Sequence, residues 1–167
     1  MKRLLLESSA SHTGSVVAVV FGPAVLGVDI EAVANMTPAA LSLALTAEEI
    51  VSLADVRGGD SRREAARYWT CKEAASKVAG VGNRLPMRAW RVIPVPGSDR
   101  VSVVDDGGRR WSGVTLPTSS AAVAAVVWPS ELSEAGETRW STRYINYRDI
   151  RVEVTHTAIS FSEAGSE

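Results

Sequence analysis

Three side chains of different chemistry recur every four residues in the stretch RYWTCKEAASKVAG, which covers Arg67–Gly80. They are Trp69, Glu73 and Lys77, and a helix would place them in one strip beside its core-facing row. An exposed Glu–Lys pair at this spacing stabilises a helix by only about 0.2–0.5 kcal/mol. The structural interpretation is therefore a solvated ion pair, and the chemical one is that a carboxylate and an ammonium group act on one ligand.

A second acidic pattern, GVDIE, ends at Glu31. On a strand, Asp29 and Glu31 leave the same face, while Val28 and Ile30 point into a core. Two like charges side by side are unfavourable, and a divalent cation would remove that cost. With a third carboxylate from the helix, the oxygen ligands suit Mg²⁺, which keeps water molecules and also binds phosphate groups. A D-x-E pattern alone is common and defines no function.

The elements that must position these residues can be read from the hydrophobic pattern. GSVVAVVFG (Gly14–Gly22) predicts a buried strand, and AVLGVDIEAV (Ala24–Val33) a second, which together suggest a hairpin. A long helix is predicted over roughly Arg62–Ala79, and strands follow Pro86. The fold class predicted is α+β, a small antiparallel sheet packed on a long helix.

Two shorter helices are indicated before the long one. Thr37 is predicted to cap a helix with Pro38 at its first position. Thr46 and Glu49 have the spacing of a capping box.

Composition limits the class of protein. The chain has 167 residues, a net charge of −1 and 46% hydrophobic residues, as in a soluble globular protein without broad attraction to nucleic acid or anionic membranes. One cysteine, Cys71, excludes an internal disulfide and is expected to be a small buried residue; a cytoplasmic location is the default expectation. The apolar run from Ala121 fits a buried strand better than a membrane span.

Three motifs in order resemble the 4'-phosphopantetheinyl transferase superfamily. They are SASHTG (Ser9–Gly14), LGVDIE (Leu26–Glu31) and YWTCKEAASK (Tyr68–Lys77). The resemblance is strongest to the C-terminal half of the long, two-lobed class, and it continues more weakly to about Pro129. It implies a transferase that moves the 4'-phosphopantetheine arm of coenzyme A to a serine of an acyl or peptidyl carrier protein, with Mg²⁺, releasing 3',5'-ADP.

The resemblance also implies roles for residues at matching positions. Asp29, Glu31 and Glu73 correspond to the metal-binding acids, and Glu73 is also the candidate general base. Lys77 corresponds to the lysine that contacts the transferring phosphate. The positions that bind coenzyme A phosphates are matched by Ser11 and His12.

The chain departs from the long class in its organisation. Eight residues precede Ser9, so residues 1–132 are expected to form a single lobe. Residues 133–167 are expected to be an extension with a linker, one strand and a frayed end. A homo-oligomer or a complex with a partner lobe would then complete the site. Two alternatives stay open: a non-catalytic subunit that binds coenzyme A or a carrier protein, and a metal-dependent hydrolase of another pyrophosphate compound.

Overall fold

The computed structural model of the protein describes residues 7–22, 24–56, 61–116, 118, 121–133, 142–146 and 152–155. Short 3-10 turns connect several of the main elements. In chain order these elements are β1 (Glu7–Thr13), β2 (Val16–Gly22), β3 (Gly27–Ala32), α1 (Pro38–Ala44), α2 (Ala47–Ala54), α3 (Ser61–Val78), β4 (Trp90–Pro94), β5 (Arg100–Asp105), β6 (Arg110–Leu116), β7 (Ala122–Pro129), β8 (Thr142–Asn146) and β9 (Val152–Thr155).

A five-stranded antiparallel sheet with the order β3-β7-β6-β5-β4 packs against α3, which confirms the predicted α+β class. Strand β7 is buried along nearly its whole length because both of its faces are covered. Ala125 and Val127 join the core cluster under α3, whereas Ala124 and Val126 join a second cluster that includes Ala18 of β2. The alternation of a strand thus lets β7 serve two cores at once.

Helix α3 approaches β3 closely because small residues lie at the contact. A Cβ atom on Gly27 would lie 2.1 Å from the Ala74 carbonyl oxygen, so only glycine fits there. Residues 27, 29 and 31 share this face of β3, since side chains alternate along a strand. The helix is therefore held directly over the two acids of β3.

The predicted hairpin between β2 and β3 is wrong. Strand β2 pairs instead with β1, with Ser11 opposite Ala18, and β3 pairs with β7, with Asp29 opposite Ala125. The turn that closes the real hairpin contains Gly14 with φ of +55°, a conformation that glycine adopts without strain. The polar sequence of β1, ESSASHT, has little of the β-branched pattern that marked its neighbours.

Both helix starts predicted from threonine are confirmed. Thr37 accepts a hydrogen bond from the Ala40 amide, with Pro38 at the first helical position. Thr46 and Glu49 form the predicted capping box at the start of α2.

Strands β8 and β9 lie in the C-terminal extension and continue the β1-β2 sheet, in which β8 pairs with Val16 and Val17. The sequence predicts one strand in this extension, and its described residues contain two. The predicted linker runs from about Glu131 to Thr138. Its first three residues belong to a 3-10 helix (Ser130–Ser133), and its remainder, like the polar end predicted after Ser160, lies outside the described residues. None of the helices in the described part of the chain is both long and apolar enough to span a membrane.

Candidate active site

The candidate site begins at the junction of β1 with the free edge of β3. Alternate residues of β1 turn their hydroxyl groups toward this edge, because successive side chains of a strand leave opposite faces. The Val28 amide donates to Ser9 Oγ at 3.1 Å, and the Ala32 amide donates to Thr13 Oγ1 at 3.2 Å. Side-chain hydroxyls thus accept the hydrogen bonds that a neighbouring strand would otherwise take.

Asp29 lies in the middle of this junction and is 6% exposed. Ser11 Oγ donates a hydrogen bond to Asp29 Oδ1 at 2.6 Å, and Lys77 Nζ donates to the same oxygen at 3.0 Å. The other oxygen, Oδ2, is buried and has no hydrogen-bond partner among the described residues. A buried carboxylate oxygen without a partner is costly, and the arrangement leaves it free to bind a cation.

Lys77 connects three elements from its position in the last turn of α3. Besides Asp29, its ammonium group donates to the Val28 carbonyl at 2.8 Å and, at 3.4 Å, to the Ala10 carbonyl. Its side chain nevertheless remains 31% exposed, so the charge also faces the crevice.

Glu31 and Glu73 border the same crevice. Glu31 Oε2 accepts hydrogen bonds from Asn35 Nδ2 at 2.8 Å and from the Ala32 amide at 3.1 Å. Burial raises the pKa of the half-buried Glu73 carboxyl, the charges of Asp29 and then Glu31 raise it further, and Lys77 opposes them. Asp29 and Glu31 are therefore close enough for their charges to act on Glu73.

The fit of these acids to a metal is partial in the conformation described. Within the described residues, no group of three or more His, Cys, Asp or Glu side chains is arranged to hold a metal ion. The donor chemistry nonetheless fits Mg²⁺, because the ligands would be carboxylate oxygens and Asp29 Oδ2 is buried with no partner among the residues described. Glu31 and Glu73 are partly exposed and can change rotamer without disturbing the core.

His12 is separated from the acids. The exposure of β1 alternates, so that Ser11 faces Asp29 while His12 is exposed on the other side of the strand. The structure thus brings together Ser11 and the three acids with Lys77, and it leaves His12 outside this cluster.

A buried ion pair beside the site was not anticipated from the sequence. Lys72, with no exposed surface, donates to Glu49 Oε2 and, at 2.7 Å, to the Ala44 carbonyl. Glu49 Oε2 also accepts from the Thr46 amide at 2.9 Å, and Oε1 accepts from the Val92 amide at 2.8 Å. Burial lowers the pKa of Lys72, and the charge of Glu49 opposes that effect. The sequence signal for this ion pair was Lys72 itself, which lies in the core-facing row of the predicted helix. A buried charge requires a buried partner of opposite charge.

Two other residues of the helix motif are structural. Trp69 packs beside the small cluster of Met36, Ala66 and Val123. Cys71 is fully buried, as expected, and burial raises the pKa of its thiol to about 12, which disfavours the reactive thiolate.

Comparison with known families identifies the class of protein. The profile of the 4'-phosphopantetheinyl transferase superfamily matches residues 25–127, more than half of the 167-residue chain. The chain belongs to this superfamily, whose general activity is phosphopantetheinyl transfer. The matched range includes Asp29, Glu31, Glu73 and Lys77, whereas Ser11 precedes it. A search of curated proteins gave no significant match.

Proposed function

We propose that the protein transfers the 4'-phosphopantetheine arm of coenzyme A to a serine of an acyl or peptidyl carrier protein, with Mg²⁺ as cofactor and 3',5'-ADP as the second product. The observation that carries this proposal is the crevice between β3 and α3. It combines a buried carboxylate oxygen on Asp29, which has no partner in the part of the chain that the structure describes, with Glu73 and Lys77, inside the range that the family profile matches.

Asp29, Glu31 and Glu73 are the residues that would hold Mg²⁺. A bound Mg²⁺ would supply positive charge against the pyrophosphate of coenzyme A. The charge of the metal would also offset the repulsion from Asp29 and Glu31, which adds to the effect of burial in raising the pKa of Glu73.

Glu73 is the proposed proton acceptor. The carrier serine oxygen forms a bond to the β-phosphorus, and the bond from that phosphorus to the bridging oxygen breaks, so that 3',5'-ADP leaves with the electron pair. The serine proton passes to the Glu73 carboxylate, directly or through one water.

Lys77 is the proposed electrostatic partner of the transferring phosphate. Its ammonium group is held by Asp29 and two backbone carbonyls, so its charge is positioned before substrate arrives. His12, exposed on the outer side of β1, is proposed to contact a phosphate of coenzyme A.

The assembly state and location are part of the same proposal. Val19 and Phe21 of β2 are 41% and 64% exposed and form an apolar strip. This strip supports a homo-oligomer or a complex with a partner lobe, because exposed apolar surface of this kind is often covered by another chain. We place the reaction in the cytoplasm, and we propose no nucleic-acid or membrane partner.

Intact mass spectrometry of apo carrier proteins tests the proposal. Carriers from several assembly systems are incubated with the protein, coenzyme A and Mg²⁺, with and without a chelator. A gain of one phosphopantetheine mass that the chelator abolishes is the expected result. Binding of coenzyme A with no mass gain on any carrier would contradict transfer and favour a non-catalytic binding subunit.

A further inference from the structure

We propose that Ser11 is a positioning residue for Asp29, whose hydroxyl group fixes the carboxylate so that Oδ2 faces a cation. This inference rests on one part of the proposed function, the binding of a divalent metal at the site, and does not require transfer to a carrier protein. It gives Ser11 a different role from the contact with coenzyme A phosphates that the motif resemblance implies.

The two oxygens of Asp29 have unequal surroundings. Oδ1 accepts one hydrogen bond from Ser11 Oγ at 2.6 Å and one from Lys77 Nζ at 3.0 Å. Oδ2 accepts none from the described residues although it is buried. A short hydrogen bond from a hydroxyl to a carboxylate is among the stronger ones, so it opposes rotation of the carboxylate.

Lys77 alone would hold the carboxylate less firmly. Its ammonium group also donates to the carbonyl groups of Val28 and Ala10, and its side chain is partly exposed. Ser11, in contrast, is fixed by its strand, because β1 pairs with β2 along its length. The hydroxyls of Ser9 and Thr13 on either side accept hydrogen bonds from the β3 backbone and make no contact with Asp29 that the structure shows.

Hydrogen-bond chemistry separates the two roles of Ser11. A serine hydroxyl has one proton, and here it is donated to Asp29 Oδ1. An ionised phosphate offers only acceptor oxygens, so Ser11 cannot donate to a phosphate while it holds Asp29. Loss of the hydroxyl should therefore weaken metal binding and leave coenzyme A binding at saturating metal nearly unchanged.

The test compares Ser11→Ala with Ser9→Ala as a matched control, because Ser9 contacts the β3 backbone but not Asp29. Mn²⁺ is titrated into each protein with coenzyme A present, and free Mn²⁺ is counted by its electron paramagnetic resonance signal. The KM for coenzyme A is measured separately at saturating Mg²⁺. We expect Ser11→Ala to raise the Kd for Mn²⁺ about 10-fold, as for other residues that orient metal ligands.

Two further variants keep the test decisive if Ser11→Ala folds poorly. Ser11→Thr keeps a hydroxyl, and it should restore the wild-type Kd for Mn²⁺. Ser11→Cys, whose thiol is a weak donor, should fall between the alanine and threonine variants.

Three results would overturn the inference: an unchanged Kd for Mn²⁺ with a raised KM for coenzyme A, an equal loss of affinity in Ser9→Ala, or no Mn²⁺ binding by the wild type. Because Mn²⁺ binding is read without a carrier protein, metal binding with no transfer would reject the proposed function and leave the role of Ser11 testable.

Discussion

Helix α3 carries two lysines that each pair with a carboxylate, and the two pairs differ in how completely their polar atoms are bonded. The Lys72–Glu49 pair is buried, and both oxygens of Glu49 accept hydrogen bonds. The Lys77–Asp29 pair lies at the crevice, where the lysine is 31% exposed and Asp29 Oδ2 is left without a partner among the described residues. The satisfied pair can only hold elements together, whereas the unsatisfied pair retains the capacity to bind a ligand.

The buried Lys72–Glu49 pair lies next to the site and connects the elements around it. Lys72 directly precedes Glu73, and its network joins the end of α1, the start of α2 and strand β4. Hydrogen bonds are directional, so those from Lys72 favour one rotation of α3 about its axis. We infer that this rotation points Glu73 at the acids of β3.

The largest effect is expected from Asp29→Asn, which keeps the shape of the side chain but removes its negative charge. Transfer should fall by about 10³-fold or more, because a metal ion supplies several kcal/mol of charge stabilisation. Mass-spectrometric rates of carrier modification measure this loss. Glu48→Gln, at an exposed acid of α2, serves as the control, and wild-type rates in Asp29→Asn would contradict the metal assignment.

Breaking the satisfied pair should chiefly affect stability. Lys72→Met leaves the Glu49 carboxylate buried without its cation, which should lower the free energy of unfolding by about 3–5 kcal/mol. The equivalent change at the crevice, Lys77→Met, should cost less, because Lys77 is partly exposed and Asp29 keeps its hydrogen bond from Ser11. Urea unfolding of both variants measures the two losses in the free energy of unfolding. Equal losses would contradict the expected difference between the pairs.

Lys77→Met should instead act on the reaction. We expect kcat to fall about 100-fold, since one preorganised charge on the transferring phosphate is lost. The affinity for Mn²⁺ should change less than kcat, because Asp29 keeps its bond from Ser11. An unchanged kcat would show that Lys77 only joins β1 to β3.

The smallest expected effect is a pH dependence of stability in the metal-free protein. The pKa of Glu73 is raised above 4.5 in the fold, so the folded chain binds this proton more tightly than the unfolded chain. Its contribution to stability is complete below the unfolded pKa and is lost as pH rises through the folded pKa. Wild type should therefore lose stability relative to Glu73→Gln as pH rises from about 4.5. Urea unfolding in the presence of a chelator measures the stability of both proteins at several pH values. Parallel curves of stability against pH for wild type and Glu73→Gln would contradict this prediction.

Much of the fold follows from local pattern. The helix over Ser61–Val78, the buried strand at Ala122–Pro129 and both threonine caps are visible as periodicity, apolar runs and capping residues. The pairing of β2 was not predicted, because its partner β1 is polar and lacks the β-branched pattern that marks a buried strand.

The candidate site was predicted in its residue types but not in its detailed contacts. Spacing placed Asp29 and Glu31 on one face of β3 and Glu73 and Lys77 in one strip of α3. The motif resemblance joined the two sets, and the structure brings them to one crevice. The sequence does not show which oxygen of Asp29 accepts the hydrogen bond from Ser11. That choice depends on how β1 lies beside β3, and these two strands do not pair with each other. The orientation of His12 away from the acids has the same origin.

A crystal structure of the protein with coenzyme A and Mn²⁺, located by anomalous scattering, tests the central claim most directly. We predict a Mn²⁺ peak at coordination distance from Asp29 Oδ2 and Glu73, with Ser11 still donating to Asp29 Oδ1. A peak that does not contact Asp29, or a carboxylate of Asp29 that coordinates through Oδ1, would contradict it.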